Sequence, residues 1–208
     1  IYCAILLFTL LCGVYRYKKL DDASKIFAVF VCISVITEYI AFFASKIFHN
    51  NMPVYAIYSP IEFGLVSIYF NNVIDVFRKY NIGYYIGGTG IILGIGNMVF
   101  IQGINTLNSY FLVFEGICII GMALFSFFRL LLKHGQLRLG RYHHFWFATI
   151  LVFFWCITFM NWSLYDYGSV KFTSKMWIIN ASILVVDIIT YTAISSIFSR
   201  YPKMQKSH

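Results

Sequence analysis

Long apolar runs dominate this chain, at roughly 1–15, 26–47, 54–76, 82–101, 108–131, 143–162 and 176–198. A helix rises 1.5 Å per residue, so about 20 residues cross the ~30 Å hydrocarbon core of a bilayer. Lipid offers the backbone no hydrogen bonds, so runs of this length must satisfy their peptide groups internally, as helices. The expected fold is all-α. It is a polytopic transmembrane helix bundle of about seven spans, forming a single transmembrane domain over residues 1–208.

Composition agrees. Charged residues make up 12% of the chain and hydrophobic residues 60%, whereas soluble domains carry about 25% charged residues. The segments between runs, such as 131–142 and 163–175, have the length of connections rather than of soluble domains. The first run holds only about 15 residues before Arg16, fewer than the ~20 of a full span, so the chain is expected to begin inside its first helix. The basic cluster Arg16–Lys19 follows that run instead of preceding it, unlike a signal peptide.

The net charge of +8 would suggest nucleic acid if the cations formed a patch on a soluble domain. They lie between the runs instead. Arg16, Lys18, Lys19, Lys25, Arg78, Lys79, Arg129, Lys133, Arg138, Arg141, Arg200, Lys203 and Lys206 all follow odd-numbered runs. The other side keeps Lys46, Lys171 and Lys175. The positive-inside rule then puts the N-terminus outside and the C-terminus in the cytoplasm. The expected partners are the lipid bilayer and a protein in the membrane or at its cytoplasmic face, with no nucleic acid.

Within the fourth run, Gly83, Gly87, Gly90 and Gly94 share one helix face, and two of their steps are GxxxG patterns. Such a face lets two helices approach closely, either within the chain or at a partner seam. Pro60 is expected to kink the third run, with Gly64 one turn on.

Ionisable groups inside a membrane are costly and mark function by default. Glu38, Glu62, Glu115 and Asp187 fall inside runs, with no Lys or Arg at matching depth in the sequence. Counted from the outer helix ends, they lie roughly 10–17 Å below the outer surface. Polar neighbours share or adjoin their faces: Ser34 and Ser45 with Glu38; Tyr55, Tyr58 and Ser59 with Glu62; Asn108 with Glu115; Asn180, Thr190 and Tyr191 with Asp187. Two readings stand. The carboxyls are hydrogen-bonding glue between helices, or they line an outward pocket for a proton, a metal cation or a cationic small molecule.

His143 and His144 open the sixth run. Being adjacent, they are expected on different faces. Trp146, Trp155, Trp162 and Trp177 suit interfacial belts. The five cysteines fall inside runs, without CxxC or Cys/His spacing, so neither disulfides nor a zinc site is expected. HExxH, GxSxG and Walker A motifs are absent, and no mid-span His or Lys offers a haem ligand or a retinal attachment. No catalytic residues, metal or cofactor are expected.

The stretch Asn51-Met-Pro-Val-Tyr-Ala-Ile-Tyr-Ser-Pro-Ile-Glu-Phe63, with Thr37-Glu38-Tyr39, resembles a segment of uncharacterised small seven-helix membrane proteins of Gram-negative bacteria. Some proteins that look like this are joined to, or encoded beside, sensor histidine kinases. The resemblance implies a bacterial inner-membrane location and a sensory context. The leading expectation is a non-enzymatic, receptor-like or accessory subunit with an outward polar pocket. A small proton- or cation-coupled transporter is the second, and an intramembrane lipid-modifying enzyme a lesser third.

Overall fold

A computed structural model describes residues 2–133, 142–171 and 176–205, with the side chains of 133, 162–171, 176–180 and 202–205 outside the description. Among the described residues the chain is helical throughout and contains no strand. The helices are α1 (Tyr2–Arg16), α2 (Asp22–Phe48), α3 (Met52–Val73), a short α4 (Asp75–Tyr80), α5 (Ile82–Gly96), α6 (Ser109–Lys133), α7 (His143–Lys171) and α8 (Met176–Gln205). Among the described residues, five stretches are long and apolar enough to cross a membrane: Asp22–Phe48, Ile82–Ile101, Ser109–Leu132, His143–Asn161 and Ala181–Tyr201. α1 has only 15 residues, and α3 is more polar, carrying Glu62, Asn71 and Asn72.

Local chemistry explains the boundaries. Asp21 caps α2, its carboxylate accepting from the Ser24 backbone N–H at 3.2 Å, which satisfies one of the orphan donors of a first turn. His49 ends α2 in the left-handed region at φ 55°. Pro53 then stands in the first turn of α3, where a missing N–H costs nothing. Asn81, also at φ 55°, separates α4 from α5; Asn tolerates this conformation better than most residues. The apolar run 82–101 is not one regular helix. α5 passes at Asn97–Ile101 into a π-helical turn, closed by Gln102 N–H donating to the Asn97 carbonyl at 2.9 Å. Pro60 leaves α3 continuous, and its ring is buried.

α7 runs on to Lys171, into the stretch 163–175 where hydropathy suggested an outer connection. Hydropathy marks where a helix leaves lipid, and the helix itself ends where its hydrogen bonding ends.

The chain divides into two compact units. The central unit, Asp21–Glu115, is organised on α3, which packs against α2 and α5. Its interior is aromatic: Phe27 meets Tyr69 at 5.1 Å between ring centroids, and Phe63 meets Phe111 at 6.0 Å and Phe114 at 5.7 Å. The flanking unit, Ile1–Leu20 with Gly116–His208, is organised on α8, which packs against α1 and α7. There Phe147 meets Phe198 at 5.6 Å. The Thr9 hydroxyl is within hydrogen-bond distance of two carbonyls, Tyr191 on α8 at 3.0 Å and Ile5 on its own helix at 2.8 Å.

Candidate functional site

In the central unit the glycine face of α5 lies on α3. A Cβ built on Gly83 would stand 2.5 Å from the Ser67 carbonyl oxygen, and one on Gly90 would stand 2.0 Å from the Phe63 ring. On Gly87 it would come within 3.1 Å of Ser67 Cβ, and on Gly94 within 2.6 Å of the Pro60 ring. All four glycines are buried. Their close approach is therefore used inside the chain. Asn71 joins the contact through its side-chain oxygen, which accepts the Gly83 N–H at 3.0 Å. That N–H sits in the first turn of α5, where helices leave donors unsatisfied.

The α2–α3 pair carries a strip of hydroxyls and one carboxylate. Ser34 on α2 and Tyr58 on α3 share a hydrogen bond of 2.6 Å, while the Ser34 hydroxyl is also 2.9 Å from the Phe30 carbonyl. Further along, the Tyr55 hydroxyl stands 3.4 Å from both carboxylate oxygens of Glu38, a long and shared contact. The two helices are antiparallel neighbours joined by 49–51, so Ser34 and Glu38 on one face the tyrosines on the other. Glu38 and Glu62 are both half-buried and equally far in residues from that connection. Each lies about 15 Å from it along its own helix.

The remaining acids fall differently. Glu115, the last residue of the central unit, has a relative exposure of 0%. Asp187 belongs to α8 of the flanking unit and is half-buried, as is Tyr191 one turn on. The Asn180 side chain lies outside the described residues. The described contacts thus join Glu38 to Tyr55 and Tyr58 to Ser34, and place Asp187 and Tyr191 in the other unit.

A polar cluster of which the sequence pattern had named only Asn108, beside Glu115, closes the α5–α6 corner. Asn97 donates its side-chain amide to the side-chain oxygens of Gln102, at 2.7 Å, and Asn108. Gln102 in turn donates to the Ser109 hydroxyl at 2.7 Å and accepts the Tyr110 N–H at 3.1 Å. π-helical turns recur at functional sites, and the only sequence signal here was amide residues flanking Gly103. Elsewhere, the buried hydroxyls of Ser59, Ser67 and Thr190 have no hydrogen-bond partner among the described residues.

Two sequence expectations are corrected. His143 and His144 do not diverge. Both are buried, their rings lie 4.0 Å apart and their Nε2 atoms 3.0 Å apart, with Tyr201 at 4.6 Å from the His143 ring. The first residues of a helix have no preceding turn to restrict χ1, so neighbouring side chains can converge. Trp155 is not at an interface either. It is 2% exposed, and Gly116 of α6 leaves room for its indole, since a Cβ there would come within 3.0 Å of the ring. Trp146 is 40% exposed near the start of α7, while the Trp162 and Trp177 side chains lie outside the described residues.

What the site can do chemically follows from these groups: hydroxyls and a carboxylate that offer lone pairs to a cation or donors to a polar ligand. No family model, curated protein or solved structure matches the chain.

Proposed function

We propose that this chain is a non-enzymatic, receptor-like or accessory subunit of a bacterial inner-membrane complex. It spans the membrane seven times, with the N-terminus outside and the cytoplasmic C-terminus and basic loops available to a protein partner. The single observation that carries the reading is the Ser34–Tyr58 and Tyr55–Glu38 strip on α2 and α3. A half-buried carboxylate in an apolar helix is expensive to keep, and its hydroxyl neighbours could share a polar or cationic ligand reaching it from outside. The sensory context rests on the resemblance of the segments around Glu38 and Glu62 to small seven-helix proteins, some of which are joined to, or encoded beside, sensor histidine kinases.

The test is purification of the native protein in gentle detergent, followed by mass spectrometry of what accompanies it. A stoichiometric protein partner is expected. A lone, monodisperse protein would overturn the accessory reading.

One observation favours a second reading, a proton- or cation-coupled carrier: the fully buried Glu115 carboxyl in mid-chain, since intramembrane acids serve as proton relays. Proton-dependent flux in liposomes that disappears with Glu62→Gln or Glu115→Gln would favour it over the first.

A further inference from the structure

α7 and α8 leave a groove of about 480 Å³ between them, within the ~300–1,000 Å³ range of small-ligand sites. Its walls include Ile150, Phe153, Ile189 and Ile197, with Trp146 and Arg200 at one end. Both residues belong to that end because the start of α7 lies beside the end of α8, as the His143–Tyr201 and Phe147–Phe198 contacts record. Phe153, Ile189, Trp146 and Arg200 are exposed, so the groove opens on the surface rather than into the interior.

Three features point to one occupant. The first is length. From Ile189 to Arg200 the groove follows α8 for about 16 Å, the hydrocarbon depth of one leaflet, about half of the ~30 Å core. The second is the wall chemistry. The Thr149 and Ser196 hydroxyls are turned to carbonyls of their own helices, Phe145 at 2.8 Å and Thr192 at 3.0 Å. With the buried Thr190 hydroxyl as the remaining polar group of the wall, the groove presents mostly carbon to a chain lying in it. The third is charge. Arg200 stands at the mouth with no carboxylate partner among the described residues, beside an indole of the kind that sits at headgroup level. A guanidinium presents paired donors that match phosphate oxygens.

We infer that the α7–α8 groove holds one anionic phospholipid, its acyl chain along Ile189–Ile197 and its phosphate on Arg200. The inference goes beyond the proposed function and rests only on the chain being embedded in lipid. Under the positive-inside orientation the lipid belongs to the cytoplasmic leaflet, where basic pockets between helices take anionic headgroups.

The whole chain would be equilibrated with detergent micelles containing equimolar phosphatidylglycerol and phosphatidylcholine of identical acyl chains. Native mass spectrometry then counts the retained lipids. One basic residue near the headgroups is worth roughly a fivefold preference, so wild type should retain phosphatidylglycerol about fivefold over phosphatidylcholine. Arg200→Gln should bring that ratio to one while leaving some retention of both. Ala193→Phe, which fills the groove and keeps Arg200, should lower retention of both lipids together. An equal ratio in wild type would overturn the inference. So would a preference that survives Arg200→Gln, which would place the anionic lipid on the basic loops, or unchanged retention in Ala193→Phe.

Discussion

Replacing Gly83 by Ala tests the closest approach in the central unit. The new methyl would stand 2.5 Å from the Ser67 carbonyl oxygen, 2.5 Å from Asn71 Cβ and 3.0 Å from Asn71 Cα. These atoms are backbone or next to it, so no side-chain rotation relieves the overlap. α5 must move off α3 by about 1 Å to regain ordinary contact. Overpacking of this kind costs about 1–3 kcal/mol, and stretching the Gly83–Asn71 hydrogen bond adds about 1 kcal/mol. Alanine's helix propensity returns at most about 1 kcal/mol, less in a first turn. The expected net loss is about 1–3 kcal/mol. Gly88→Ala supplies the control, because nothing lies within 4 Å of a Cβ there and the same propensity term acts alone. That variant should match or exceed wild type. Unfolding by heat or by sodium dodecyl sulfate in mild detergent, followed through tryptophan fluorescence, reads both. At roughly 2–4 °C per kcal/mol for a chain of this size, the pair should separate by several degrees. Equal midpoints would mean that the glycine face is not pressed against α3.

Further expectations follow from other contacts. Asn71→Ala should cost about 1–2 kcal/mol in the same assay by orphaning the Gly83 N–H; an unchanged midpoint would remove Asn71 from the α5 cap. In a double-mutant cycle of Ser34→Ala and Tyr58→Phe the coupling should be about 0.6 kcal/mol, typical of interhelical hydrogen bonds in membranes, and zero coupling would mean the pair is not bonded. Cys156 is exposed on α7, about 20 Å along the helix from His143. A charged maleimide should leave it unmodified in intact vesicles and label it after denaturation in detergent. Rapid labelling in vesicles would mean this face meets water.

The helix positions were legible from hydropathy because lipid imposes one backbone solution on any long apolar run. Helix ends were less so. Ile74 is itself apolar, yet its extended backbone (ψ 111°) separates α3 from α4, and α7 continues well past its apolar run. The glycine face was readable because Gly83, Gly87, Gly90 and Gly94 repeat at helical spacing, but its partner α3 was not, since spacing says nothing about which neighbour fills a groove. The pairing of Glu38 with Tyr55 depends on the angular setting of α2 against α3, which sequence leaves open. Trp155 was misread because an aromatic residue at a membrane edge and one packed over a glycine look alike until Gly116 is placed opposite it.

The α3–α5 contact has a mechanical consequence. Side chains that interlock fix two helices lengthwise, as teeth fix a rack. A row of glycines has no teeth, so along the roughly 16 Å from Gly83 to Gly94 α5 presents a rail. Its lengthwise position then depends on stops: the Asn71 hydrogen bond at Gly83, and the rings of Phe63 and Pro60 seated against Gly90 and Gly94. For α5 to slide along α3, the Asn71 hydrogen bond at Gly83 would have to release.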